Sequence, residues 1–421
     1  MLTLALLVVA AAYVLASLGR TSTMPADIGP FLAVVLGLMV TGHLVIRRLA
    51  PQADPVLFPI AAFLNGMGYV IIARLSEDLA RLQAVWTAAG MAAFIAVLFV
   101  VRDTRLLERY RYTFMVGGIV LLLMPLLPVI GRNINGARIW VSFGPVNFQP
   151  GEFAKIALAI FFASYLVERR ELLGMATFRI GPIGVPEPRV LGPVLLAWGA
   201  SLMVMITEKD LGSSLLFFAV FLVLLWIASE RFTYLLTGVL LFAVGAYVVW
   251  SQFSHVQERV DIWLDPWSQA LGKGFQPVQA WYSLAAGGIP GTGLGLGLGN
   301  GPRLPAAETD FIFVVIAEEL GLIGATAILA AFVLFIGAGL RIALTADRGF
   351  DKLLATGLTA LIGIQSFIII AGVIRLLPLT GITLPFVSYG GSSLLANYVL
   401  LALLLRISDQ SRRRALQRAT P

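Results

Sequence analysis

Apolar runs of about 20 residues recur along the whole chain, and each is long enough to cross a bilayer as a helix. They lie near 2–18, 30–46, 55–74, 82–101, 111–130, 153–167, 190–206, 211–229, 232–250, 311–340, 353–374 and 384–405. A bilayer offers no water to satisfy a bare backbone, so such runs must close their own hydrogen bonds as helices. Of the 421 residues, 59% are hydrophobic and 13% charged, far from the balance of a soluble domain. The pattern predicts an all-α polytopic membrane protein with about 12 transmembrane helices. Met1-Leu2-Thr3 supplies no basic n-region, so the first run reads as a retained helix rather than a signal peptide.

The net charge of +7 would suggest nucleic acid in a soluble protein, but here the basic residues sit in short loops between apolar runs. That distribution is a topology signal, because Lys and Arg accumulate on the cytoplasmic side. Most of the 30 Lys and Arg residues fall on one side when both termini are placed in the cytoplasm, which predicts a multi-pass protein of the plasma membrane with 251–309 outside. No nucleic-acid partner is expected. Cysteine is absent, which removes disulfides and thiolate chemistry, and two histidines, His43 and His255, are too few for a His-rich metal site. No P-loop is present, so ATP hydrolysis is not indicated. Chemistry is left to carboxylates, hydroxyls and lysine.

The external connection 251–309 is far longer than an ordinary loop, and long ordered loops tend to carry function. Val256, Val260, Trp263, Leu264 and Trp267 recur there at helical spacing and predict a short helix on the membrane surface, ending near Pro266. The following GGIPGTGLGLGLGN lacks a preceding strand, so it reads as a flexible or ligand-hugging loop rather than a phosphate cradle. Residues 381–398, GITLPFVSYGGSSLLANY, interrupt an apolar stretch with Pro385, Gly390, Gly391, Ser392 and Ser393. Irregular backbone at that depth is tolerated where it lines a protein-enclosed cavity. A tight contact of small residues between helices explains the same composition equally well.

Ionisable residues in or beside spans are costly and point to function. Glu152 and Lys155, at i and i+3, share one helix face and can neutralise each other. Asp210 is placed as an N-cap or a first-turn acid favoured by the helix dipole. Asp310, in Glu308-Thr309-Asp310-Phe311, either caps the next helix or meets a substrate hydroxyl as a general base. Glu318 and Glu319 lie deeper and are expected to anchor neighbouring helices.

Taken together, NGARIW (135–140), QPGEFAK (149–155), DLGSS (210–214), TDFIF (309–313), AEELG (317–321) and PLTGITLPFVSYGGSS (378–393) resemble the SEDS family, the shape, elongation, division and sporulation proteins. The resemblance covers about 55–407. It implies a ten-helix core, placed here at 51–407, preceded by an N-terminal transmembrane hairpin over 1–50 and followed by a basic cytoplasmic tail over 408–421. The implied activity is that of a peptidoglycan glycosyltransferase polymerising lipid II into a growing glycan strand, in elongation or division, beside a class B penicillin-binding transpeptidase and membrane lipid. Gly381-Ile382-Thr383 and Arg375 lean towards the elongation branch. Carried onto this sequence, the family's catalytic aspartate is Asp310, and Trp140, Glu152 and Lys155 are its substrate-side residues. Arg138, Ser392 and Ser393 join them as candidate substrate contacts. Lys155, Arg138 or a divalent cation, Mg or Mn, would stabilise the departing diphosphate; the ligands of such a metal are not identified, and no organic cofactor is implied. Three departures stand out: QPGE lacks a hydroxyl beside Glu152, EKDLGSS carries two added charges, and ETDF puts Glu308 two residues before Asp310.

The alternative is a lipid II flippase or other transporter. Transport would favour paired broken helices and a route of charges at the membrane midplane, and the sequence shows one broken segment without a partner. The orientation is checked with single cysteines in this cysteine-free chain. A cysteine at Ser268 is expected to react with a membrane-impermeant thiol reagent in intact cells and one at Ser408 is not; labelling at the C-terminal position sinks the topology.

Overall fold

The computed structural model describes residues 1–22, 28–128, 130–134, 137–144, 146–175, 177–180, 183–186, 199, 210–298 and 304–419. The expected span at 190–206, with Asn135, Gly136, Glu208, Lys209, Gly299 and Arg303, falls largely or wholly outside them. Among the described residues, eight helices are long and apolar enough to cross a membrane, with Arg111–Leu126 as a shorter apolar helix. The chain divides into two compact units.

The first unit comprises Met1–Arg102, Arg259–Gly339 and Gln365–Pro421. It opens with α1 (Leu2–Thr21), α2 (Ile28–Leu49), α3 (Leu57–Leu75) and α4 (Glu77–Val100). Ser76 caps α4 by accepting the Leu79 N–H at 3.4 Å, and Glu77 and Asp78 meet the positive end of the helix dipole. The second unit comprises Asp103–Glu258 and Leu340–Ile364. It holds α5 (Arg105–Arg109), α6 (Arg111–Leu123), α7 (Gly151–Glu168), α8 (Arg170–Met175), α9 (Leu211–Ser229), α10 (Phe232–Gln252) and the start of α11 (Ser254–Leu264). Asp210 caps α9 as its position in the sequence suggests, accepting the Ser213 N–H at 3.0 Å.

The all-α expectation holds for the apolar segments, while the connections of the second unit add short antiparallel strands. β1 (Gly131–Ile134), β2 (Ala137–Phe143) and β3 (Val146–Phe148) form a meander, with Arg132 opposite Trp140 and Ser142 opposite Asn147. β4 (Thr177–Ile180) and β5 (Ile183–Pro186) form a second hairpin. The Asn135-Gly136 dipeptide between alternating residues is a hairpin signal in the sequence.

The remaining helices are α12 (Phe275–Gly287), α13 (Ile312–Thr345), α14 (Gly349–Val373) and α15 (Gly391–Ala419). α15 starts later than the apolar run suggested, because 374–390 is non-helical, and it continues through the basic stretch expected to be a tail. Arg406 Nη1 donates to the Leu49 carbonyl at 2.8 Å and Nη2 to that of Leu98, closing the C-terminal ends of α2 and α4. Asp409 accepts the Gln52 N–H at 2.9 Å and Ser408 Oγ that of Asp54 at 3.0 Å. Ser408 is therefore buried. Exposed Leu416 is the better position for the C-terminal cysteine probe.

α13 breaks at Gly321, where φ is 64° and ψ −163°. The Gly-rich loop closes the break. Glu318 and Glu319 carbonyls accept the N–H groups of Thr292 and Gly293, both at 2.9 Å, and Leu322 N–H donates to the Gly288 carbonyl at 3.0 Å. A Cβ on Gly321 would lie 2.3 Å from the Ile289 carbonyl oxygen, so only glycine permits this approach. The two glutamate side chains hold the loop as well: Glu318 accepts the Leu298 N–H at 2.7 Å and Glu319 that of Gly295 at 2.9 Å. Arg74 of α3 pairs with Glu319 at 2.6 Å, both side chains being buried, and also donates to the Gly297 carbonyl. Of the two expectations for this loop, flexible or ligand-hugging, the flexible one does not hold over 291–298, where the backbone is fixed, and the glutamates anchor a loop in addition to a helix. Breaking a buried ion pair strands one charge at a cost of about 3–5 kcal/mol. Arg74→Met is accordingly expected to lower the thermal unfolding temperature sharply in detergent, and Arg74→Met/Glu319→Gln to recover most of the loss. Equal losses in the single and double variants would count against the pair as the anchor.

Candidate active site

A turn over 304–311 leads into α13. Ala306 adopts a left-handed conformation, φ 59°, and its carbonyl gathers the N–H groups of Thr309 at 3.2 Å and Asp310 at 3.1 Å. This turn delivers half-buried Asp310 to a cavity of about 230 Å³ within the first unit. The facing wall is the end of α14 and the non-helical strip through Ile382, including Arg375, Leu379 and Gly381. Gly381 has φ 74°, and a Cβ there would stand 3.9 Å from Asp310 Oδ2, so the carboxylate meets bare backbone.

The segment that starts with the C-terminal part of α11 and ends in α12 contributes Arg259, Trp263, Lys273 and Trp281 to the lining. It is tied to the strip by reciprocal bonds. Trp263 Nε1 donates to the Arg375 carbonyl and Arg375 Nε to the Trp263 carbonyl, both at 3.0 Å. Trp281 Nε1 donates to the Val373 carbonyl at 3.2 Å, and Arg375 lies over the Trp281 ring at 5.0 Å from its centre. Arg259 Nη1 donates to the Leu379 carbonyl at 3.0 Å. One acid and three cations therefore line a pocket whose other walls are largely apolar.

Burial pushes the Asp310 carboxyl up to about 6, the Thr309 hydroxyl and Arg259 pull it down, and Glu308 raises it by like-charge repulsion. A group poised there is ionised near neutrality yet basic enough to accept a proton. The extra acid of the ETDF sequence thus acts in the direction its charge predicts.

The other candidate residues are not among those lining this cavity. Glu152 and Lys155 form a buried ion pair at 2.8 Å in the first turns of α7. Arg138 is exposed and Trp140 half-buried on β2. These four belong to the second unit. Ser392 and Ser393 are buried in the first turn of α15, and neither lines the cavity. Ser393 Oγ instead accepts from Thr383 Oγ1 at 2.9 Å, tying the strip to the helix. Sequence reasoning does not single out Arg259, Lys273 and Arg375 as cavity residues. Their only signal as site residues is positive charge in connections between apolar runs, which cannot reveal that they converge. Asp310 is the one carboxylate in the lining, and no cluster of three or more metal-ligating side chains occurs among the described residues. Such a donor set does not build a protein cage for Mg or Mn, which take several oxygen ligands. The break at Gly321 supplies no lining residue either, so this second interrupted helix does not frame the cavity as a transporter's paired breaks would.

Fold and cavity define a polytopic membrane protein with an acid-and-cation pocket at the mouth of a long helix. The chain belongs to the family described as "Cell cycle protein", FTSW_RODA_SPOVE, whose model matches residues 59–413. It is 45% identical over 414 residues to "Peptidoglycan glycosyltransferase RodA" of Mycobacterium tuberculosis (strain ATCC 25618 / H37Rv), covering 96% of this chain and 88% of that protein. It is 34% identical to "Probable peptidoglycan glycosyltransferase FtsW" of Geobacter metallireducens, covering 85% of this chain and 95% of that one. Among solved structures it resembles a chain from "Structural coordination of polymerization and crosslinking by a peptidoglycan synthase complex", with TM-score 0.68, 30% identity, and coverage of 85% of this chain and 98% of that chain.

The electrostatics of Asp310 are testable without turnover. Infrared difference spectra recorded against Asp310→Asn are expected to show one carboxyl titrating near pH 6. Glu308→Gln removes a repelling charge and should move that midpoint down. Arg259→Gln removes an attracting one and should move it up. A midpoint unmoved by both would show that neither neighbour acts on Asp310.

Proposed function

We propose that this chain is a peptidoglycan glycosyltransferase that polymerises lipid II, with Asp310 as general base. The observation that carries the reading is the placement of the Asp310 carboxyl with Arg259, Lys273 and Arg375 in one largely apolar cavity, where burial raises that carboxyl. The names of its relatives support the same activity. Asp310 takes the proton from the 4-hydroxyl of the GlcNAc acceptor. The new bond forms from that oxygen to the anomeric carbon of the donor MurNAc, and the bond from that carbon to the diphosphate oxygen breaks. The electron pair leaves with the polyprenyl diphosphate, whose charge is stabilised by cations in a water-poor site, with Arg259 and Lys273 in this cavity. The donor carries its own activation, consistent with the absence of a nucleotide motif.

Trp140, Arg138, Glu152 and Lys155 take substrate-side roles in this reading, on the strength of their motifs. Ser393 braces the strip through Thr383, and neither Ser392 nor Ser393 lines the cavity that holds Asp310. The higher identity to a RodA than to an FtsW favours service in elongation, and the class B penicillin-binding transpeptidase implied by the family resemblance is the partner in this reading, which the likeness to a chain of a peptidoglycan synthase complex supports. Both termini face the cytoplasm, so that Asp310 opens to the outside, where lipid-linked saccharide is polymerised.

Asp310→Asn preserves size and much of the capping ability, so it separates a base from a cap. With lipid II and the partner transpeptidase in proteoliposomes, the variant is expected to lose polymerisation by about 100-fold or more while folding normally. Long glycan strands at the wild-type rate would remove Asp310 from the mechanism. Wild-type protein that scrambles labelled lipid II without making polymer would put the transport reading in its place.

A further inference from the structure

We propose that Ser388 is a positioning residue for glycosyl transfer, fixing the turn that carries Asp310; this rests on Asp310 being the base. Buried Ser388 Oγ donates to the Thr309 carbonyl at 2.6 Å and accepts the Leu384 N–H at 2.9 Å, so one hydroxyl bridges two turns. The next residue adds a second tie, Tyr389 N–H donating to the Glu308 carbonyl at 2.8 Å. The two carbonyls immediately before Asp310 are therefore both held by consecutive residues of one strip. The Ala306 carbonyl gathers the N–H groups of the same turn from its other side.

The strip is itself braced at several points. Phe386 sits at φ 64°, a conformation that a bulky residue keeps only when its surroundings impose it. Its ring packs edge-on to Tyr398 at 5.7 Å and against Phe335 at 6.0 Å. Tyr398 is fixed in turn by the Asn65 amide, which donates to its hydroxyl at 2.8 Å. A Cβ on Gly68 of α3 would lie 2.2 Å from the Val387 carbonyl oxygen, so α3 closes on the strip at that point. Gln365 of α14 donates to the Thr383 carbonyl at 2.8 Å. Packing of the bundle is thereby transmitted through Phe386 and Ser388 to the base, although Ser388 is not a lining residue of the cavity.

Removing the hydroxyl frees the Thr309 carbonyl and lets the turn move and hydrate. Misplacement of a catalytic group by about 1 Å can cost on the order of 100-fold in rate. Because burial is what raises the Asp310 carboxyl, a hydrated turn should also titrate lower. The charged groups facing it are Glu308 and Arg259, with Lys273 and Arg375 in the same cavity lining, and Ser388→Ala leaves all four in place.

The test compares wild type, Asp310→Asn, Ser388→Ala and Ser388→Thr as full-length protein in proteoliposomes with lipid II and the partner transpeptidase. Ser388→Ala is expected to lose kcat on the order of 100-fold with KM for lipid II little changed, and to move the acidic limb of the pH–rate profile downward. Ser388→Thr keeps the hydroxyl and is expected to restore both. Wild-type kcat and pH limb in Ser388→Ala would overturn the proposal. So would a Ser388→Ala protein that only accumulates unfolded, since that assigns Ser388 to the fold. If wild type makes no polymer, the glycosyltransferase reading fails, and the infrared titration of Asp310 still decides the positioning role: an unmoved midpoint in Ser388→Ala overturns it.

Discussion

The structure depends on closing backbone hydrogen bonds wherever a helix is interrupted at membrane depth, because lipid offers no partner for a bare carbonyl or N–H. Two interruptions in the first unit meet this requirement differently. At Gly321, the loop over 288–293 lays its own backbone against the break. In the strip between α14 and α15, side chains contribute much of the closure. Gln365 reaches the Thr383 carbonyl, and Ser388 bridges Leu384 and Thr309. The first solution joins glycine backbone at the break itself with the Glu318, Glu319 and Arg74 side chains behind it, and it makes a brace. The second leaves carbonyls and one carboxylate facing a cavity.

Strain is concentrated at that cavity. Among the described residues, five other than glycine have positive φ, and three of them, Ala306, Arg375 and Phe386, belong to the turn that carries Asp310 and to the strip. Each such residue costs on the order of 1–3 kcal/mol and persists only where neighbours over-determine it. The neighbours are identifiable: Arg375 is locked by Trp263 and Trp281, Phe386 by Tyr398 and Phe335. The outcome is a preorganised pocket whose polar groups do not have to be gathered when substrate arrives.

The acidic residues divide into two kinds by what surrounds them. Glu319, Glu152 and Asp409 are buried against Arg74, Lys155, and Arg406 with Arg413, respectively. These pairs satisfy charge where burial would otherwise be prohibitive. Asp310 makes no such direct salt bridge among the described residues, and its carboxyl is left raised by burial, with Arg259 only moderating it. Under the proposed mechanism, the cost of that placement is what suits it to serve as the base.

Much of this was legible in the amino-acid order. Apolar runs of bilayer length dictate helices because nothing else closes a backbone in lipid. Asp210 as a cap, Glu152 with Lys155 as a pair, and Asp310 at a helix mouth follow from spacing alone. So does the suspicion that Pro385, Gly390 and Gly391 mark irregular backbone. Other features depended on contacts distant in sequence. The stretch expected to be a tail continues α15 as helix, and its first residues are packed because Ser408 and Asp409 accept the N–H groups of Asp54 and Gln52. A glycine loop that reads in sequence as either flexible or ligand-hugging is fixed because Glu318, Glu319 and Arg74 converge on it. Arg259, Lys273 and Arg375 line one cavity, and Ser388 meets Thr309, only through the tertiary fold. Periodicity and spacing govern what a residue can do within its own element, whereas the burial that raises Asp310 and the bonds that aim it are set by segments about 80 residues away along the chain.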